Sequence, residues 1–372
     1  MREMLAAFEH LEHEVHFLIA GKNTGRHQSS PETHGQQSIL KRILRACLPT
    51  LIWETAKDVK LIRLDRRNEL RLSSLASKIK PDVIYERSHY GMVAGVRVAQ
   101  KNGIHHVLEV NSPNVDERIK LSGNSLLARR AQSKDDWIFK HSSHVLVVST
   151  ALAKSLNIPQ LSKHWSVTPN AIRIGQNKEF TVNLTRKALG IEESAVLLGF
   201  VGSIFHWHGL DMMIRAIHQL QKARKNVQAM IVGDGETRSN LHALAQMLGI
   251  EDKVHFMGSV KQKDTFAYTQ LCDILVMPKS NSYGSPVKIF EYALSEKPCI
   301  VPSTAPVREV FKAGLHGWEV EPHEELLVEA INSITSNPSR AVELAQNWRK
   351  KVESNHTWRA NASIALQKIH HP

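Results

Sequence analysis

The residues best suited to chemistry lie in one stretch, SYGSPVKIFEYALSEKPCIVPS, from Ser282 to Ser303. Ser285 is a favoured N-cap and Pro286 a favoured first helical residue, so the spacing predicts a helix opening there. At helical spacing Val287, Phe290 and Leu294 form an apolar stripe, and Glu291, four residues after Val287, falls inside it. A carboxylate facing a core is costly unless something pairs with it, and Arg308 is a plain structural candidate. The bare amides of the helix start, with Lys288 beside them, make an anion site. One short helix thus offers a cradle for phosphate and, two turns in, a carboxylate able to hold hydroxyls. That combination suits a nucleotide sugar.

These residues need a frame. Strand AVLLGFVG (195–202) leads through SIFHWHG to a helix at 210–224, whose stripe is Leu210, Met213, Ile214, Ile217 and Leu220. VQAMIVG follows, then GDGE and a helix ending at Gly249. Next come VHFMG, a helix at 262–271, DILVMP, the helix above, PCIVP, a short helix, WEVEP and a helix at 323–336. Short apolar strands alternating with amphipathic helices predict a parallel α/β sheet, which binds ligands at its carboxyl edge. The loops at that edge carry Gly202-Ser203, Gly233-Asp234-Gly235, Gly258-Ser259 and Tyr283-Gly284-Ser285.

The first half alternates too. Strands are expected at 14–20, VKLIRL (59–64), DVIYE, HHVLEV, HVLVVS and WSVTP, with helices near 38–47, 67–79, 91–101, 114–141 and 150–157. Segment 23–38 is polar and reads as a loop. Periodicity lapses around 171–190, the expected joint, and the tail 340–370 reads as helix, with Trp348 and Trp358.

At 372 residues and 42% hydrophobic content, two ordinary domains can be built. No apolar run has transmembrane length and no signal-peptide pattern is visible, so a cytoplasmic location is expected. Cys47, Cys272 and Cys299 lack metal or redox spacing and read as small core residues. No metal is expected from the 21 histidines. The formal charge of +12 is dispersed, as in RRNELRLSS, LLARRAQSK and NWRKKV, without aromatic interleaving. That argues against nucleic acid and leaves either a solvated basic surface or loose attraction to an anionic membrane leaflet.

The Ser282–Ser303 stretch resembles the donor-site helix of family 4 glycosyltransferases, which have the GT-B fold. The family pattern is Glu-x7-Glu. Its second Glu matches Glu291, its first falls at Tyr283, and the chain is similar to the subgroup reading S-P-x-K-x-x-E-Y. GFVGSIFHWHGLD resembles the first donor-domain loop, with Ser203 at the usual Arg and His208 at the usual Lys before Gly209. MIVGDGE and VHFMGSV resemble the nucleotide-binding edge and place Met257, Gly258 and Val260 near the base. PDVIYERSHYGMVAG and HHVLEVNSPNVDER resemble the acceptor domain, with Glu86, Arg87, Glu109 and Asn111 at strand ends. A local ion pair is the plain reading of Glu86-Arg87, and the His that many members carry near the Asn111 position is absent. TPNAI resembles the interdomain P-N-G-[VI] stretch, so Asn170 would shape the cleft.

The resemblance implies two Rossmann-like parallel-sheet domains facing a cleft: an acceptor-side domain at 1–172 and a donor-binding domain at 173–340. A C-terminal helix at 341–372 would return to the first. It implies a retaining hexosyltransferase that moves a sugar from a nucleoside diphosphate to a glycan or lipid-linked hydroxyl acceptor. No cofactor or metal is needed. Glu291, Lys288 and His208 would be catalytic. Gly202, Ser203, Gly233, Asp234, Gly258, Gly284, Ser285 and Val287 would line the donor site. A non-catalytic nucleotide-sugar binder and a GT-B epimerase are the rival readings. One departure is large: MREMLAAFEHLEHEVHFLIA, with the stripe Met4, Leu5, Phe8 and Leu11, begins in a helix where the family has a strand and a Gly-rich loop. An upstream start is expected over a degenerate copy, and strands 14–20 and 82–86 would each lack a neighbour.

Overall fold

The apolar runs of the second half pair because each is short and buried on both faces, the condition for a parallel sheet. The computed structural model describes residues 2–19, 49–175, 182 and 184–370. Contacts divide the chain into one unit of Met1–Thr168 with Ala362–Pro372, and a second of Pro169–Asn361.

In the first unit the elements are α1 (Arg2–Glu9), α2 (Thr50–Ile79), β1 (Val83–Arg87), α3 (Ala94–Asn102), β2 (His105–Val110), α4 (Asn114–Ser122), α5 (Ala128–His141), β3 (His144–Val147), α6 (Thr150–Ser155), α7 (Ile158–Leu161) and β4 (Trp165–Val167). The second unit has β5 (Val196–Val201), α8 (Leu210–Lys222), β6 (Val227–Val232), α9 (Arg238–Met247), β7 (Val254–Gly258), α10 (Thr265–Leu271), β8 (Ile274–Val276), α11 (Val287–Leu294), β9 (Cys299–Pro302), α12 (Ala305–Arg308), β10 (Trp318–Val320), α13 (Glu324–Ser336) and α14 (Pro338–Asn355). The last helix, α15 (Trp358–His370), starts in the second unit and ends among residues grouped with the first.

The second sheet has six parallel strands in the order β10-β9-β8-β5-β6-β7. Alternate residues of β5 feed opposite cores: Leu198 and Phe200 join one hydrophobic cluster with α8 and α13, Leu197 and Val201 the other with α11 and α14. That is a sheet between two helical layers. Cys272 and Cys299 are buried in the second cluster, and burial pushes both thiols up to about 12, so they act as core residues. Cys47 lies outside the described residues.

The first sheet has four parallel strands in the order β1-β2-β3-β4. Three expectations fail here. Residues 13–19 hold no strand, and the expected strand at 14–20 has no place among the described residues. Among the described residues β1 pairs only with β2, so its outer edge is open and 14–19 is not laddered to it. VKLIRL is not a strand either. With the expected helix at 67–79 it belongs to the single 30-residue helix α2. The reason is a buried polar face at helical spacing, in which Glu54, Asp58 and Asp65 meet Arg118, Tyr90 and the amides of Val93 and Ala94 far along the chain. Finally, the helical region expected at 114–141 breaks at Gly123 (φ +95°) into α4 and α5. The helix expected near 38–47 and the loop at 23–38 lie outside the described residues.

Candidate active site

At the carboxyl edge of the second sheet three glycine loops are tied backbone to backbone. Gly202 N–H donates to Val232 O at 2.9 Å, Ile204 N–H to Asp234 O at 2.9 Å, and Gly233 N–H to Gly258 O at 2.8 Å. The approach admits no side chain at two places. A Cβ on Gly233 would lie 2.0 Å from the Gly202 carbonyl oxygen, and one on Gly202 would lie 2.0 Å from Lys288 Cε. The Lys288 stem therefore runs over Gly202. Between β6 and β7 the register shifts so that Val232 faces Gly258, which leaves Met257 unmatched. Asp234 is spent locally, accepting from Gly235 N–H at 2.8 Å and meeting Arg238 at 3.3 Å.

The helix that carries the candidate charges starts one residue later than the sequence suggests. Pro286 is extended (φ −74°, ψ 112°) and α11 begins at Val287. Ser285 does not cap it. Its Oγ accepts from Asn170 N–H at 3.0 Å, while Asn170 Nδ2 donates to the Ser285 carbonyl at 2.6 Å. Gly284 and Tyr283 are turned by Asn281 Oδ1, which accepts from both amides at 2.6 and 3.3 Å. The apolar face also differs from expectation. The buried residues are Ile289, Phe290, Tyr292, Ala293 and Leu294, whereas Val287 is 38% exposed. Val287 and Glu291, at i and i+4, share the less buried side of the helix, with Lys288 next to them around it. So Glu291 does not face the core. Arg308 is not its partner, being engaged by Glu319 at 2.5 Å and by Glu321.

Lys288 Nζ lies 3.3 Å from His208 Nε2 and 5.6 Å from the Phe200 ring centroid. An ammonium can only donate, so His208 accepts at Nε2 and is neutral. Burial, then the nearby Lys288 charge, holds the imidazole down to about 4. Burial also lowers Lys288 below the usual lysine range, with Glu291 opposing, and raises Glu291 above the usual carboxylate range, with Lys288 opposing. His208 is fixed by its own backbone, since Lys279 N–H donates to its carbonyl at 3.1 Å. Ser203 is exposed at the loop surface.

From behind, α14 seats this helix. Trp348 is fully buried, and its Nε1–H donates to the Ile289 carbonyl at 2.8 Å. Its ring packs against Phe290, Phe311, His316 and His356. Sequence reasoning singled out Trp348 only as part of a tail helix, and gave Asn281 no role. The Asn–x–x–Gly spacing of Asn281 and Gly284 is the signal that could have found it.

In the first unit the four acceptor-side residues divide. Arg87 does not pair with Glu86. Arg87 donates to Glu109 Oε1 through Nη2 at 2.7 Å and Nε at 3.1 Å, with Asn111 Nδ2 at 2.8 Å on the same oxygen and Tyr85 OH at 2.9 Å on the other. Glu86, on the other face of β1, meets His106 Nε2 at 3.0 Å under Gly95. Strand alternation forces this split, because adjacent residues point to opposite faces and Arg87 stands directly opposite Glu109 in register. Tyr85, its phenol driven above the usual range by burial and then by Glu109, also meets Phe8 of α1 edge-on at 5.4 Å.

Comparison with known proteins bears on the fold and on residues 182–354. The family "Glycosyl transferases group 1" matches residues 182–354, somewhat under half the chain. A glycosyltransferase of Methanocaldococcus jannaschii, itself uncharacterized, is 25% identical over 202 residues, 51% of each chain. A GDP-mannose-dependent monoacylated α-(1-6)-phosphatidylinositol monomannoside mannosyltransferase of Corynebacterium glutamicum is 28% identical over 184 residues, 47% of each. The chain spans about half the length of these relatives. Among solved structures, HepE of Anabaena in complex with UDP superposes with a TM-score of 0.69 at 18% identity, covering 82% of both chains. Sucrose-phosphate synthase of Thermosynechococcus elongatus gives 0.65 at 18% identity, covering 83% of this chain and 78% of that one. Two parallel-sheet α/β units, matching structures of the GT-B kind, are therefore the fold of this chain, and residues 182–354 of the second unit match the glycosyl transferases group 1 model.

Proposed function

We propose that the protein is a glycosyltransferase that moves a hexose from a nucleoside diphosphate to a hydroxyl acceptor with retention of configuration. The observation that carries this is the face of α11. Lys288 and His208 meet above Gly202, and Glu291 stands beside them on α11, part-buried and making no hydrogen bond among the described residues. A diphosphate at Lys288 and His208 would have its sugar or ribose hydroxyls within the domain of Glu291. The UDP held by HepE supports a uridine nucleotide as the first to test. The second unit, Pro169–Asn361, would hold the donor on the loops of Gly202, Gly233, Gly258 and Gly284. The first would hold the acceptor near Arg87, Glu109 and Asn111.

In this scheme the chain stabilises the leaving diphosphate through loop amides, Lys288 and His208, and the diphosphate itself takes the acceptor proton. No step calls on a metal, so chelation with EDTA should leave turnover unchanged. The acceptor is proposed to be a glycan or lipid-linked sugar presented at an anionic membrane surface. No helix among the described residues is long and apolar enough to cross a membrane.

A thermal-shift screen over UDP-, GDP-, ADP- and dTDP-sugars tests the donor, because a ligand bound only by the folded state raises its melting temperature. Release of free nucleoside diphosphate only when an acceptor is present tests transfer, and separates it from binding alone. Glu291→Gln should keep the fold and lower turnover at least about a hundredfold. Wild-type rates in that folded variant would sink the assignment.

A further inference from the structure

Four large apolar side chains of the first unit stand in solvent at one place. Leu121 and Leu126 are 76% and 70% exposed, and Leu51 and Ile52 are 41% and 50% exposed. They are neighbours. The turn between α4 and α5 lies against the first turns of α2: Leu126 N–H donates to Thr55 Oγ1 at 3.0 Å, and a Cβ on Gly123 would meet Thr50 Cγ2 at 3.0 Å. Arg118 locks the junction by bridging α4 to Glu54 and Asp58 of α2 at 2.6 and 3.2 Å. Single exposed leucines are ordinary, whereas a cluster on a rigid corner marks a contact surface.

The turn and its flanks are mostly basic, although the first turn of α4 also carries Asp116 and Glu117. From 118 to 134 the chain carries Arg118, Lys120, Arg129, Arg130 and Lys134 and no acid. In 49–57 the single acid, Glu54, is buried and paired with Lys57 and Arg118. Lys120, Arg129 and Arg130 are exposed, with no ion-pair partner among the described residues. Leucines at the tip of a turn, ringed by unpaired cations, fit an anionic bilayer. The apolar tips enter the boundary of the acyl chains while long cationic stems reach back to the headgroups.

We infer that the corner formed by α4, the α4–α5 turn and the start of α2 is the surface by which this protein docks on anionic lipid. This gives a place to the membrane contact proposed above and rests on that reading. Co-sedimentation with phosphatidylcholine vesicles, and with vesicles holding about a third phosphatidylglycerol, tests it. Binding is expected only to the anionic vesicles, weakening as salt rises. Leu121→Glu with Leu126→Glu should weaken it at least about tenfold, and Arg129→Glu with Arg130→Glu should weaken it and flatten the salt dependence. The charge-matched pair Lys222→Glu and Lys350→Glu in the second unit should change it by less than about twofold. Melting temperatures, and the shift given by UDP, should match wild type in all three, which separates this surface from the nucleotide site. If wild type binds neither vesicle, membrane contact and surface both fall. If wild type binds anionic vesicles and the leucine variant binds equally well, the contact stands and this surface is overturned. A wild-type dimer that the leucine variant turns into monomer would give the face to a second copy instead.

Discussion

Two basic groups 3.3 Å apart cannot both carry a proton in a part-dry site without an anion between them. His208 resolves the conflict at rest by staying neutral, with its pKa held down to about 4. A diphosphate between Lys288 and His208 reverses the balance, since both cations then face negative oxygens. Binding of a nucleoside diphosphate should therefore take up close to one proton at pH values between the free and bound pKa of His208. Calorimetry of UDP in buffers of different ionisation enthalpy measures this directly. His208→Gln should abolish the uptake and weaken binding modestly, and Lys288→Ala should weaken binding far more than Ser203→Ala. Tight UDP binding with no proton uptake would leave the nucleotide site in place but remove the imidazole from it. The other titrating neighbours are few. Lys288 and Glu291 come from α11 and His206 from the same loop, and His206 is exposed and tied to Glu236 at 2.9 Å.

The donor-site helix is only eight residues long, so its position depends on what packs behind it. Trp348 supplies that support, with one hydrogen bond to Ile289 and a ring wedged among aromatics. Trp348→Phe keeps most of the ring but removes the indole donor to the Ile289 carbonyl, at a cost of about 0.5–1.5 kcal/mol. We expect a lower melting temperature and a several-fold loss of UDP affinity, with no change in the proton uptake described above. Unchanged affinity in a destabilised protein would mean that α14 supports the fold and not the site. Elements of this kind show what a sequence can reveal. β5 to β10 were legible because each is a short apolar run between glycine loops, and that pattern has one reading in a parallel sheet. Lys288 and Glu291 stood out because charged residues at those spacings beside a helix start have few structural excuses, while His208 came only from the resemblance of its loop. What stayed hidden depended on distant partners. The face of α11 was misread because Val287 looks like core until the packing of Ile289 and Phe290 fixes the rotation. The helix α2 was misread as strand and helix because Asp58 and Asp65 are satisfied by Tyr90, by Arg118, and by the amides of Val93 and Ala94 at 3.0 Å. No local pattern announces those pairs.

At the scale of the whole molecule, four buried histidines among the described residues share one property. Burial, the leading cause in each case, lowers His144, His208, His316 and His356 to about 4. In the unfolded chain each would titrate near 6.5. Below that value the unfolded state binds more protons than the fold, so stability falls as pH drops from about 6.5 towards about 4. Each histidine contributes at most about 3 kcal/mol to that loss. Besides the part-buried Glu291, one buried carboxyl acts in the opposite sense. Asp135 is raised to about 7, by burial and then by Asp136, so the fold prefers its neutral form and gains stability as pH falls from 7 towards the unfolded value. The histidines outnumber these carboxyls, and the melting temperature should drop clearly between pH 7 and pH 5. Asp135→Asn removes one opposing group and should make the drop steeper while raising stability at pH 7. His316→Gln, whose native ring packs on Trp348 at 5.1 Å, should make the drop shallower while lowering the plateau. Thermal denaturation at half-unit intervals of pH measures all three slopes. A melting temperature that is flat or rises from pH 7 to pH 5 would show that these imidazoles reach solvent and take their protons without opening the fold.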